Sequence, residues 1–168
     1  LLFSFFITQV ETKAKKITLG IVLGFTGPTE SIVPSMVSSA ELAIEEANSS
    51  NIFLSGEGKI NLMKIDTMCD KSKIGKVNKR INENDIVAII GAACPGISEG
   101  ILLGSVNEKK IPMISPSATT TLLSILDEKN LFFRTTPTNN RDGEVLAKVT
   151  KDRGCLLYTS DAADEQFG

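Results

Sequence analysis

Five short apolar runs recur along the chain, each followed by a stretch of helical periodicity: ITLGIVL (17–23), KINLMKID (59–66), IVAIIG (86–91), IPMIS (111–115) and NLFFRTT (130–136). No other feature limits the fold as strongly. The runs are rich in β-branched residues and end in glycine, proline or polar turns, which marks them as strands. In the stretch 35–48, Met36, Ala40, Ala43 and Ala47 share one helical face with Val37 and Ile44 beside them, while Glu41, Glu45 and Glu46 point to solvent. Ile74, Val77 and Ile81 make a similar stripe in 72–85, and further helices are predicted over 96–110, 119–128 and 142–154. Strands that alternate with helices of this length favour right-handed crossovers between parallel strands. The predicted fold class is α/β: an open parallel sheet with helices on both faces, incomplete as it stands.

In open sheets of this kind, ligands bind beyond the carboxyl ends of the strands. Here those ends are the loops GFTGPTES (24–31), DTMCD (66–70), GAACPG (91–96) and SPSATT (115–120), and they hold the unusual residue clusters of the chain. None has the spacing or lysine of a phosphate loop, and none fits G-x-G-x-x-G. A net charge of −2 gives no basic surface for nucleic acid, and the absence of histidine removes the commonest general base and metal ligand. No cofactor or metal is therefore indicated. Cys94, on a strand-to-helix turn, has two readings. As a nucleophile it would make the chain a Cys-dependent, glutaminase-like amidohydrolase, but with no histidine to pair with. As a disulfide partner of Cys69 it would join two loops at neighbouring strand ends and contribute about 3 kcal/mol; this reading is favoured. Pro95 suits a first helical position, and the amides of Gly96 and Ile97 are expected to be free to meet a carboxylate. Ser115, Ser117, Thr119, Thr120 and Thr121 can cap the helix that follows them or, with its amides, cradle an anionic group.

The two ends differ from the body. LLFSFFITQV (1–10) is too short to span a bilayer and matches the apolar part of a signal peptide, with an expected cut after Ala14. Export would place the protein in the periplasm, where paired cysteines persist. CLLYTSDAADE (155–165) resembles a translated transposon-library sequencing adapter, so residues 155–168 are expected to lie outside the natural reading frame.

At its loops the sequence resembles the leucine/isoleucine/valine-binding proteins of ABC importers, the type I periplasmic binding family. The resemblance runs from about Lys16 to Gly154 through ITLGIVLGFTGP, IDTMCD, IIGAACPG, IPMISPSATT and FFRTTPTNNRDGEVLA, in order. It implies an amino-terminal ligand-binding lobe over 15–137, the start of a second lobe over 138–154, and a disulfide between Cys69 and Cys94. It places the ligand at Ser117, Ala118 and Thr119, with the Ser117 carbonyl accepting from an ammonium group and the Thr119 hydroxyl and amide serving the head group. Pro95, beside Gly96, stands where the family usually has a carboxylate-binding serine, and Ile32 stands where an aromatic closes over the ligand. The implied function is a non-enzymatic extracytoplasmic solute receptor, a monomer when complete. It would deliver a branched-chain or related amino acid to an inner-membrane permease; a ligand-sensing receptor domain is the alternative on the same fold.

Overall fold

β1 (Lys15–Leu23), β2 (Gly58–Asp66), β3 (Ile86–Gly91), β4 (Met113–Ser115) and β5 (Phe132–Arg134) form one sheet in the order β2-β1-β3-β4-β5. Every neighbouring pair is parallel, as the crossovers require. The computed structural model describes residues 15–50 and 58–154. The expected signal segment 1–14 and the adapter-like residues 155–168 lie outside the described residues.

The connecting helices are α1 (Val33–Ser49), α2 (Ile74–Asn82), α3 (Pro95–Ile101), α4 (Asn107–Lys109), α5 (Leu122–Leu126) and α6 (Asn139–Asp152). They cover both faces of the sheet, and the side-chain alternation of the strands decides which face each residue joins. Val22, Ile65, Ile89, Met113 and Phe132 turn to one face and are buried there with Val77 and Ile81 of α2, Ile97 and Ile101 of α3 and Leu123 of α5. Ile21 and Leu23 turn to the other face, against Val33 and Val37 of α1. Cover on that second face fades away from α1. Ile21, Ile90, Ile114 and Phe133 are register partners across β1, β3, β4 and β5, yet exposure rises from 0% at Ile21 to 40% at Ile114 and 54% at Phe133.

The predicted helix 96–110 is interrupted: α3 widens into a π turn over Leu102–Val106, with a kink at the non-helical Gly104, before α4. The cause is Asn78 of α2. Its Nδ2 donates to the Gly100 carbonyl at 3.0 Å, and its Oδ1 accepts from the Ser105 amide at 3.2 Å and the Ser105 hydroxyl at 2.8 Å. A side chain that enters the helical ladder in this way opens it locally. Gly100 and Gly104, four residues apart, make room for α2 here. A Cβ on Gly100 would lie 2.6 Å from Ile74, and one on Gly104 would meet Asn78. Helix propensity alone gives no hint of this packing.

β2 is an edge strand, and its outer side is not left bare. The Asn48 side chain at the end of α1 accepts from the Ile60 amide at 2.8 Å and donates to the Ile60 carbonyl at 3.0 Å. One side-chain amide thus takes the place of a neighbouring strand at that residue. At the other end of the chain, α6 buries none of its residues.

Candidate functional site

From β1 the chain crosses to β2 on one side, then returns to place β3 on the other. The carboxyl ends of β1 and β3 therefore flank the switch point at which open α/β sheets bind ligands. β3 ends at Gly91, whose φ of 139° suits glycine, and whose Cα side faces the backbone of Val22 in the neighbouring strand. Cys69, after β2, and Cys94, after β3, are joined in a disulfide with a Cα–Cα distance of 5.8 Å. The bond reaches across the end of β1. It also removes the free thiolate on which the amidohydrolase reading depended.

The loop after β4 carries the residues that the sequence singled out. The buried Ser115 hydroxyl donates to the Ala92 carbonyl at 2.6 Å and accepts from the Ala118 amide at 2.9 Å, and the Ser117 hydroxyl donates to the Ala93 carbonyl at 3.1 Å. The loops after β3 and β4 are thus fastened to each other, which brings Pro95 and Gly96 to the same end of the sheet as Ser117, Ala118 and Thr119. Ala118 is fully buried and Pro95 is exposed. Among the described residues, the Ser117 carbonyl, the amide and hydroxyl of Thr119 and the Gly96 amide have no hydrogen-bond partner. The Ile97 amide differs from expectation: it donates to the Cys94 carbonyl at 3.0 Å, because the first turn of α3 tightens there. Of the hydroxyl cluster, Thr120 accepts from the Leu122 amide at 3.3 Å, whereas Thr121, at the N-cap of α5, makes no side-chain cap.

The loop after β1 is anchored from β2. Thr26 donates to Asp66 through its hydroxyl at 2.7 Å, and the Met68 amide donates to the same carboxylate at 2.9 Å. Burial pushes the Asp66 carboxyl upward, but these bonds, with those from the Thr26 and Phe25 amides, outweigh it and hold the group below its ordinary value of 3.8. A folded-state value below the unfolded one means that the anchor contributes its full stability above the ordinary value and loses it as pH falls through the lowered one. Asp66→Asn is expected to lower the thermal midpoint by a constant amount above about pH 5, with the gap to the native protein closing in acid. Melting curves for both proteins from neutral pH downward check this, and a gap that widens in acid would contradict it. Ile32, at the start of α1, is 50% exposed at the far side of this loop. A cavity of about 230 Å³ bordered by Asp66, Lys73, Lys76 and Arg80 lies between β2 and α2, apart from the Ser117–Thr119 loop.

This geometry is shared with known proteins. The sequence profile of the receptor family ligand binding region matches residues 35–155. The chain belongs to that family. A search of curated proteins found no match. Among solved structures, this receptor-type ligand-binding chain is similar to a leucine-binding protein from Thermotoga maritima, with a TM-score of 0.68 at 20% identity over 82% of this chain and 38% of that one. It is similar to a branched-chain amino acid transporter substrate-binding protein from Streptococcus pneumoniae in complex with isoleucine, with a TM-score of 0.65 at 22% identity over 74% and 34%. It is also similar to an ABC-transporter solute-binding protein from Rhodopseudomonas palustris in complex with p-hydroxybenzoic acid, with a TM-score of 0.66 at 17% identity over 83% and 37%. The fold is that of one lobe of a type I periplasmic binding protein, and the chain spans under two fifths of each of these structures.

Sequence reasoning missed two residues that hold the loops of this candidate site, Asp66 and Arg134. Asp66 and Arg134 stand inside quoted motifs, but their partners, Thr26 and the 115–120 loop, are brought to them only by the sheet order.

Proposed function

We propose that the chain is the first ligand-binding lobe of an extracytoplasmic solute-binding protein of an ABC importer, which closes with a second lobe on an amino acid or a related small carboxylate. One observation carries the reading. The loops after β3 and β4, fastened to each other beside the switch point, leave a carbonyl, a hydroxyl and two amides unpaired at Ser117, Thr119 and Gly96. These groups are partly buried and unpaired, so they are open to a ligand or to water. The Ser117 carbonyl suits an ammonium group, and the Thr119 and Gly96 donors suit a carboxylate. The known complexes with isoleucine and with p-hydroxybenzoic acid support a carboxylate as the common element. Pro95 supplies no hydroxyl here, which shifts the recognition of the head group onto Thr119.

On this reading residues 1–14 are the export signal, residues 15–137 form the lobe and residues 138–154 begin the second lobe. The absence of buried residues in α6 accords with that division. Delivery to a membrane permease follows hinge closure, with the ligand's own contacts in the closed state supplying the bias. The test uses the complete protein expressed from its source reading frame. Thr119→Val removes one charge-assisted hydrogen bond and is expected to weaken binding of the best ligand among L-leucine, L-isoleucine and 4-hydroxybenzoate by roughly 10- to 100-fold in titration calorimetry. Unchanged affinity would remove the site from this loop.

A further inference from the structure

We propose that Arg134 is a positioning residue, the clamp that holds the ligand loop in its binding shape and ties it to the segment by which the chain leaves the lobe. The proposal rests on the reading of residues 115–120 as a ligand loop. Arg134, the last residue of β5, is half-buried. Its Nη1 donates to the Thr120 carbonyl at 2.9 Å and the Ala118 carbonyl at 3.2 Å, and its Nη2 donates to the Ser124 hydroxyl at 2.6 Å. The guanidinium also lies 5.2 Å from the centre of the Phe132 ring. A guanidinium presents its donors in a fixed planar fork, so the two carbonyls and the hydroxyl are held in one set geometry. A lysine ammonium has three donors too, but on a single atom at the end of a flexible stem, and would not fix the same geometry.

The residues that follow complete the clamp. The Thr135 amide donates to the Ser115 carbonyl at 3.1 Å, the Thr135 hydroxyl to the Pro116 carbonyl at 3.3 Å, and the Asn139 amide to the Thr119 carbonyl at 3.0 Å. Residues 134–139 thereby engage the carbonyls of Ser115, Pro116, Ala118, Thr119 and Thr120. In the loop 115–120, Ser117 is the one residue whose carbonyl they leave free. The two carbonyls that Arg134 takes flank Thr119, so the fork sets the direction of the Thr119 amide and hydroxyl. Because the same segment runs on into α6, movement of whatever α6 belongs to is transmitted to the loop through these bonds.

The test compares Arg134→Gln, Arg134→Lys and Thr119→Val in the complete protein, well below the melting temperature of each, with L-leucine, L-isoleucine and 4-hydroxybenzoate as probes. Arg134→Gln is expected to weaken the best-bound probe at least 10-fold, with Arg134→Lys intermediate. A merely structural role would lower the melting temperature and leave the affinity of the folded protein unchanged. A second readout needs no ligand. Hydrogen exchange of the Ala118 amide is expected to quicken about 10-fold or more in Arg134→Gln, while amides of β1 keep their rates. If Thr119→Val weakens binding and Arg134→Gln does not, the clamp is overturned and the site stands. If Thr119→Val has no effect, the site reading falls. Unchanged Ala118 exchange in both Arg134 variants overturns the clamp whichever probe binds.

Discussion

Replacing Gly91 with alanine is expected to destabilise the lobe severely. Gly91 ends β3 opposite Val22 of β1, and its φ of 139° lies outside the range that side chains readily accept. A Cβ built there would fall onto the Val22 carbonyl oxygen, with the Val22 carbonyl carbon only 2.8 Å away. The obstacle is backbone of β1, a strand paired on both sides, and no rotamer change can relieve it. Steric strain of this kind belongs to the small class of substitutions that cost roughly 4 kcal/mol or more. Against a total stability of about 5–15 kcal/mol, that removes a large share of the margin. Gly75→Ala is the matched control: a Cβ there meets nothing within 4 Å, and Gly75 lies within α2, where alanine is favoured by about 1 kcal/mol. Urea unfolding of the two variants should show opposite shifts. Equal midpoints would disprove the steric account.

The double change Cys69→Ser, Cys94→Ser comes next in size. The two cysteines are 25 residues apart in sequence, and closing a loop of that length removes denatured-state entropy worth about 3.5 kcal/mol in the chain-entropy model. For a domain of this size that corresponds to a fall of roughly 10 °C in the melting temperature. Met68 and Cys69 both have a φ of 53°, so the turn they form is unfavourable for side-chain-bearing residues and relies on its attachments. One attachment is the Asp66 carboxylate; the other is the disulfide. Ligand affinity should therefore fall with stability, since the opposite end of the bond starts α3 beside Gly96. Calorimetric melting of the native protein and the double variant, with a thiol count on the unfolded native protein, settles the point. Two titratable thiols at Cys69 and Cys94 would overturn it.

The fold was legible because strand formation here follows from local pattern. The β-branched runs at 17–23, 59–66 and 86–91 became β1, β2 and β3 almost residue for residue. β5 is shorter than the run 130–136 predicts because the Asp127 carboxylate takes the Leu131 and Phe132 amides at 2.8 and 3.0 Å, while Thr135 and Asn139 turn to the loop after β4. The widened turn in the third helix was not legible, since its cause is the side chain of Asn78, 22 residues from Gly100. The same distinction divides the site. Ser117 and Thr119 could be picked out as hydroxyls before a helix, but that Arg134 and Asn139 hold their loop depends on which strands are neighbours. The Ile97 amide was misjudged for a smaller reason, since it concerns whether a first turn is tight or open. Sequence shows which residues are able to bond; topology decides with whom.

The Asn48 amide that caps β2 at Ile60 bears on the behaviour of the protein in a crowd. An uncovered parallel edge is a template on which a second chain can extend the sheet, and repetition of that step is how fibrils grow. With Ile60 already bonded on its outer side, an incoming strand meets an interrupted ladder where it would begin to zip. Lys59 and Lys64, on the same strand, add charge that a growing stack would have to bury. A single asparagine thus stands against extension of the sheet at that edge.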